Sequence, residues 1–470
     1  MANQKPEDCV ALVETNLSAV TKSKICRASQ PKRQPNIILF LADDLGYGDL
    51  GCYGQKHIKT PNLDRMAAEG MRFTNFYSGS TVCAPSRCTL MTGYHTGHCR
   101  IRGNNGTDDI SLLAEDTTVA ELLKAAGYTT AMFGKWGLGG PGSPGEPHLK
   151  GFDEWFGYLN HVHAHDYYPS YLWRNQQRVP IAPGTYSHNL FTQEALDFIR
   201  RKQDQPFFLY LPYTIPHANN ELGDEGMQVP SDAPYSHQPW PQQQKNYAAM
   251  ISLLDADVGK ILALLAELGL DEDTIIFFSS DNGPHEEGGA TAEFFDSNGP
   301  LHGIKRDLYD GGVRVPMIVR WSGTIKPSEN HQPYALWDFL PTATELAQTT
   351  FPKGIDGISL LPALLGEPAN NHLFLYWEFH ERGFEQAIRM NRWKAVRHGI
   401  GQSIELYDLE NDISEQHNVA RCYPNVVQTI ADILNNENLR TESCEFPLHS
   451  INYSPRLPRT DQSDLATLSA

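Results

Sequence analysis

The stretch Ser80-Thr81-Val82-Cys83-Ala84-Pro85-Ser86-Arg87-Cys88-Thr89-Leu90-Met91-Thr92-Gly93 combines a thiol, a cation and a helix start. Pro85 suits a first helical position, where its missing N–H is no loss. Free backbone N–H groups and the positive end of the dipole then face Cys83, so an anion could sit there. Arg87 lies one turn further on and could face the same anion. A thiol in such a field is expected to ionise more readily than usual. The same residue also reads as a buried core cysteine at a strand–helix junction. A second group is Asp43-Asp44, which ends the apolar run Asn36–Ala42. Two adjacent carboxylates there repel each other, and a bound cation would relieve that cost. An ordinary acidic, glycine-rich turn is the alternative.

These residues need elements to hold them. Asn36–Ala42 is continuously apolar after its first residue, as expected of a buried parallel strand. Thr60-Pro61 starts a helix running to Gly70, and Met71–Tyr77 reads as a strand leading to the Cys83 stretch. Thr118 can cap a helix through Ala126. A strand over Tyr128–Phe133 then delivers Gly134-Lys135-Trp136-Gly137-Leu138-Gly139. Asn189–Lys202 is an amphipathic helix, and the strand Pro206–Tyr213 ends at Thr214-Ile215-Pro216-His217. A helix over Lys245–Gly269 precedes the buried strand Thr274–Ser280, which ends at Asp281-Asn282-Gly283-Pro284-His285. Met317–Trp321 is a further strand, and a helix begins near Trp337. Strands alternating with helices imply an α/β sandwich with a mainly parallel central sheet flanked by helices. Every candidate functional group then falls at a strand's C-terminal end, where open α/β sheets bind ligands. The organisation expected is a polar arm over 1–34, a catalytic α/β domain over 35–350, a smaller C-terminal domain over 351–450 and an irregular tail over 451–470.

At 470 residues the chain is long for one domain. Its net charge of −18 argues against nucleic acid or an anionic membrane surface as a partner. An anionic substrate would need a local positive pocket. Eight cysteines without a CxxC pair make no disulfide framework. The run Ile37–Ala42 is far too short to span a bilayer. The first thirty residues lack the apolar core of a signal peptide, so the chain as it stands is expected in the cytoplasm. A leader absent from the sequence would make it secreted or periplasmic.

Cys83-Ala84-Pro85-Ser86-Arg87 with Leu90-Met91-Thr92-Gly93 resembles the signature of type I sulfatases, arylsulfatase-like members of the alkaline phosphatase superfamily. In that family the cysteine is oxidised after translation to formylglycine, an aldehyde. The resemblance implies that Cys83 is the modified nucleophile, that a formylglycine-generating enzyme is a maturation partner, and that Arg87 assists. It assigns Asp43, Asp44, Asp281 and Asn282, with the modified Cys83, to one metal ion. Four oxygen-bearing side chains from two strand ends make a hard-cation site, with Ca²⁺ the natural occupant and Mg²⁺ the alternative. Lys135 and Lys305 take the places of the two sulfate-binding lysines, and His217 that of the histidine on the ester oxygens. Glu405-Leu406-Tyr407-Asp408-Leu409 and a helix after Asn418 resemble the family's small α+β domain with an antiparallel sheet. The implied activity is hydrolysis of a sulfate monoester, with a sulfated small molecule or saccharide as substrate. A phosphonate or phosphate ester hydrolase of the same superfamily, or an inactive binding protein, are the alternatives.

One position departs from the pattern. The family reads Gly-Lys-Trp-His-Leu-Gly where this chain has Gly137 in place of the histidine. Asn160-His161-Val162-His163-Ala164-His165-Asp166-Tyr167-Tyr168-Pro169 follows, rich in imidazole and phenol. It reads as a zinc site, as a polar loop with a tyrosine lid, or as the source of a replacement imidazole, His165 being the choice. His163, Tyr167, His285 and His380 are further residues expected to meet substrate. Glu378, His380 and Arg382 are expected on a loop that either reaches over the pocket or is merely solvated.

Overall fold

The central strand builds the molecule outward on both sides. Ile38, Phe40 and Ala42 point into one core, and Ile37, Leu39 and Leu41 into a second. This is the two-residue period of a strand buried on both faces, and it demands helical cover on each. The computed structural model describes residues 34–104 and 111–441. The arm expected over 1–34 (Gln34 excepted) and the tail expected over 451–470 lie outside the described residues.

In chain order the strands are β1 (Asn36–Ala42), β2 (Met71–Phe73), β3 (Phe76–Tyr77), β4 (Thr129–Lys135), β5 (Glu154–Tyr158), β6 (Tyr171–Arg174), β7 (Gln177–Pro180) and β8 (Phe207–Pro212). They continue as β9 (Thr274–Ser280), β10 (Met317–Trp321), β11 (Ser328–Asn330), β12 (Tyr334–Ala335), β13 (Leu375–Phe379), β14 (Glu385–Met390), β15 (Trp393–Arg397) and β16 (Ile404–Asp408). The main sheet has ten strands in the order β11-β2-β10-β9-β1-β8-β4-β5-β6-β7. Its centre, from β9 through β1, β8 and β4 to β5, is parallel throughout. The stretch Met71–Tyr77, expected as one strand, is two. β2 joins the main sheet, and β3 leaves it to pair with β12.

Helices Pro61–Glu69, Ser187–Lys202 and Gln242–Glu267 bury Leu63, Phe198 and Ile261 in the first core. Helices Cys83–Thr92, Val119–Ala125 and Phe339–Leu346 bury Leu90, Leu123 and Leu340 in the second. Thr118 does cap its helix, in a reciprocal box with Glu121. No helix among the described residues is long and apolar enough to cross a membrane.

The strands β13 to β16 form a separate antiparallel sheet in sequence order. One face packs Ile388 and Leu406 against Ile430 and Leu434 of the helix Pro424–Leu434. The other sets Trp377 and Val396 against Tyr77, Val82 and Trp337 beside the main sheet. Buried charge crosses the same seam. Lys394 Nζ lies 2.8 Å from Asp310 Oδ1, both side chains fully buried, while Tyr77 OH donates to Asp310 Oδ2 at 3.0 Å. Removing one partner of such a pair strands the other charge in a medium that cannot solvate it. Lys394→Ala is therefore expected to cost about 3 kcal/mol of stability, read as a lower denaturation midpoint, while leaving the main-sheet residues of the pocket in place.

Candidate active site

The strand order explains why residues far apart in sequence meet. β9, β1, β8 and β4 are neighbours and all run the same way, so their C-terminal ends open on one rim. Ala42 pairs with Ser280, so Asp43-Asp44 and Asp281-Asn282 leave the sheet side by side. His217 follows β8, and Lys135 is the last residue of β4. Asp44 turns with φ 66°, a left-handed conformation that aspartate tolerates better than most residues, and its N–H donates to Asp281 Oδ1 at 3.1 Å.

All of these groups are buried, and each charge is answered by another. Lys135 Nζ is 2.7 Å from Asp43 Oδ2. Arg87 places Nε and Nη2 at 3.0 and 2.8 Å from Asp281 Oδ2, and Nη2 at 3.5 Å from Asp43 Oδ2. Lys305 Nζ is 2.7 Å from Asp44 Oδ2 and 3.1 Å from His217 Nε2. Burial pushes the Asp43 carboxyl up, but Lys135, His217, Arg87 and Lys305 outweigh it and hold Asp43 well below its usual range. Burial and the neighbouring Asp43 instead raise Asp281 to about 7, so this is the carboxyl of the cluster that takes up a proton most readily. Burial and Lys305 push His217 down to about 3. Its Nδ1 lies 2.6 Å from the Ala218 carbonyl and donates to it, which leaves Nε2 as an acceptor towards Lys305.

The helix carrying the thiol starts at Cys83, two residues earlier than Pro85 suggested. Its ten residues are all buried. Burial pushes the Cys83 thiol up to about 12, so the expected lowering by the helix end and Arg87 is overturned. The cap comes from a residue that sequence reasoning missed. Asn104 Oδ1 accepts from the Ala84 N–H at 2.8 Å, and its Nδ2 sits 3.7 Å from Cys83 Sγ. The Asn104 N–H donates to Glu381 Oε1 at 2.6 Å. No local pattern marks Asn104, because the contact depends on how segments distant in sequence dock. Glu287 was also missed; it ion-pairs with Lys305 at 3.3 Å and with Arg306 at 2.5 Å.

The histidine-rich segment is a helical turn, His161–Ala164, capped by Asn160, whose Oδ1 accepts from His163 N at 2.8 Å. A turn puts residues four apart on one side, so His161 and His165 share a face and His163 does not. His163 packs between Tyr158 and Tyr171, away from the pocket. His165 stacks on His217 at 4.7 Å and pairs with Glu221 at 3.1 Å. The imidazole at Gly137 is that of His161, not His165: a Cβ on Gly137 would lie 2.6 Å from His161 Cε1. The three imidazoles do not converge, which removes the zinc reading. Tyr167 is no lid; it is buried and its hydroxyl donates to the Thr214 and His217 carbonyls at 2.8 and 2.5 Å. It holds the backbone that carries His217. His285 is buried beside the pocket, with Nε2 3.1 Å from the Pro216 carbonyl. Glu378 lies on β13 rather than a loop, where it binds Arg102, Arg440 and His380, so His380 is tied 2.9 Å from Glu378 at the seam between the sheets. Arg382 reaches Asp307 at 3.6 Å.

Asp43 Oδ1 and Asn282 Oδ1 are buried without a hydrogen-bond partner among the described residues. Asp43, Asp44, Cys83 and His217 each offer a ligand atom within 4.8 Å of the others. Orphaned oxygens amid carboxylates fit a hard cation.

The sulfatase family profile matches residues 35–349, from β1 past the last large-sheet helix, and that of the C-terminal part of N-sulphoglucosamine sulphohydrolase matches 302–441. The chain belongs to the sulfatase family. It is a hydrolase of sulfate esters on an alkaline phosphatase-like fold. This sulfatase is 37% identical to the dog N-acetylgalactosamine-6-sulfatase over 78% of its own length and 72% of that protein's. It is 32% identical to human arylsulfatase A, over 85% and 87% respectively. The solved structure of Ps i-CgsB in complex with k-i-k-neocarrahexaose superposes with a TM-score of 0.77 at 29% identity, covering 86% of this chain and 92% of that one.

The Cys83 pKa carries a direct expectation for unmodified protein. At pH 8 a thiol at about 12 is almost wholly protonated, so iodoacetamide should label exposed Cys422 and leave Cys83 untouched. Peptide mass spectrometry after brief labelling of native protein reads the outcome. Rapid labelling of Cys83 at pH 8 would show that the helix end outweighs burial.

Proposed function

We propose that this sulfatase releases inorganic sulfate from a sulfated saccharide, using formylglycine made from Cys83 by a formylglycine-generating enzyme, and one Ca²⁺ ion. The carrying observation is the charge arrangement around Cys83. Lys135, Lys305, Arg87 and Arg306 face four carboxylates, those of Asp43, Asp44, Asp281 and Glu287. A divalent cation held among them leaves a surplus of positive charge for an anionic ester. That surplus suits an anionic ester, and the family match supports sulfate over phosphate.

Asp43, Asp44, Asp281 and Asn282 would hold the ion, with Asp43 Oδ1 and Asn282 Oδ1 already free to bind it. Calcium would supply Lewis-acid stabilisation of oxygen anions, and Mg²⁺ is the smaller alternative. Formylglycine would supply, once hydrated, two hydroxyls on one carbon: one to attack sulfur and one to let sulfate go again. The rest falls to side chains of this chain. Arg87 fixes Asp281 and lends positive charge beside residue 83. Lys135 and Lys305 hold the sulfate oxygens as negative charge moves onto the leaving oxygen. Of the pair beside that oxygen, Lys305 has the protons, and His217 Nε2, an acceptor, steers the ammonium. Exclusion of water from these groups strengthens each contact. The saccharide class is supported by two of the similar proteins, one named an N-acetylgalactosamine-6-sulfatase and one solved in complex with k-i-k-neocarrahexaose.

The test is the mass of the tryptic peptide Phe73–Arg87 from protein made with a formylglycine-generating enzyme, followed by assays on matched sulfate and phosphate esters. An aldehyde at residue 83 and faster sulfate turnover are expected. An unmodified thiol, in a host that matures a control sulfatase, would overturn the reading. Lys305→Ala should lower kcat by about 10²–10³-fold. Chelation should abolish turnover and lower the melting temperature, and Ca²⁺ should restore both, since a ligand bound only to the folded state stabilises it.

A further inference from the structure

The proposed chemistry needs a group to receive a proton from residue 83, and the turn after β4 brings none, because residue 137 is glycine. The space beside that glycine is nevertheless taken. A Cβ on Gly137 would lie 2.6 Å from His161 Cε1, 3.1 Å from Nε2 and 3.4 Å from Nδ1. The ring of His161 thus fills the volume that a side chain at 137 would enter. Neither ring nitrogen has a hydrogen-bond partner among the described residues, and neither is open to solvent. Lys135, Arg87, Asp43 and His165 are the charged and titratable groups that act on it. A buried donor and acceptor without partners cost free energy that an apolar side chain would not. The backbone beneath is fixed, since Asn160 caps the turn through its side chain and accepts from Ala164 N at 3.3 Å through its carbonyl. An imidazole held rigid and unpartnered beside Gly137, in the field of Lys135, Arg87 and Asp43, is shaped for a partner that arrives with the chemistry.

We infer that His161 is a catalytic residue: its free ring nitrogen hydrogen-bonds the oxygen of residue 83 and accepts the hydroxyl proton there, reaching the site from the segment after β5. This rests on the proposed formylglycine reading. The proton moves from the residue 83 hydroxyl to the imidazole and returns to water between turnovers, so no further reactant is required.

The experiment moves the imidazole. Matured wild type, His161→Ala, and the double variant Gly137→His/His161→Ala are compared on one activated sulfate ester. His161→Ala should lose about 10²–10⁴-fold in kcat with KM nearly unchanged. The double variant should recover at least tenfold of that loss, roughly the share a repositioned base can regain. Residue 137 has φ +77°, a region in which histidine is among the better-tolerated residues, and removing His161 opens the space. A second readout needs no turnover. In unmatured protein with the Cys83 thiol, His161→Leu should melt at or above wild type, because it removes two unpartnered nitrogens. A His161→Ala enzyme within about threefold of wild type would overturn the inference alone, since a proton acceptor is worth far more. So would a His161→Leu protein that melts several degrees lower while the double variant recovers nothing. A matured wild type that turns over no sulfate ester would overturn the parent reading and this inference together.

Discussion

Ionised carboxylates at the ends of adjacent buried strands are the constraint on which this molecule depends. Asp43, Asp44 and Asp281 are all but inaccessible to solvent. Leaving even one such charge unanswered costs several kcal/mol, on the scale of the whole stability of a folded domain, about 5–15 kcal/mol. The answering cations come from three separate places: the helix at Cys83, the end of β4 and the segment before Asp310. Neutralising the cluster therefore also assembles the pocket. The residual strain is visible in Asp281, whose affinity for a proton is raised despite two contacts from Arg87.

Burial then decides the chemistry of the neutral groups. It keeps Cys83 protonated and His217 uncharged, and in both cases it overrides charges that would pull the other way. A thiol at this place is a poor nucleophile at neutral pH, although the surroundings are built for an anion. The site is thus ill suited to a thiolate, in keeping with the formylglycine proposed at residue 83. The same dry surroundings, with Lys135 and Arg87, hold His161 well below the usual imidazole range, so its ring is neutral and keeps a lone pair free to accept a hydrogen bond.

The parts of the fold that could be read from sequence are those where one local rule dominates. Largely apolar runs marked β1, β9 and β10 to the residue, and Thr118 as a cap marked the start of its helix. The acidic pair after β1 was legible because a charge at the end of a buried run is costly unless a cation answers it, whereas Asp281 and Asn282 after β9 were read from the sulfatase resemblance. What could not be read depends on docking between distant segments. Histidines alternating at 161, 163 and 165 look like a loop, and only the capped turn reveals that 161 and 165 share a face. Asn104 and Tyr167 act through backbone groups of other segments, which leave no trace in residue type. The field at Cys83 was misjudged for a related reason: helix dipole and Arg87 are local, but the burial that defeats them is set by the whole surrounding core.

The clamp over the start of the signature helix has a consequence for the order in which the molecule is made. Asn104 is held by Glu381, and Arg102 by Glu378, partners that leave the ribosome some 277 and 276 residues later. Domains fold largely as they are synthesised, and contacts of such long range form last. Until the second sheet exists, the strands that carry the acidic pairs can form, but the lid on residue 83 has nothing to fasten to. The nascent chain therefore passes through an interval in which Cys83 is open to other proteins, and completion of β13 and the turn after it closes that interval.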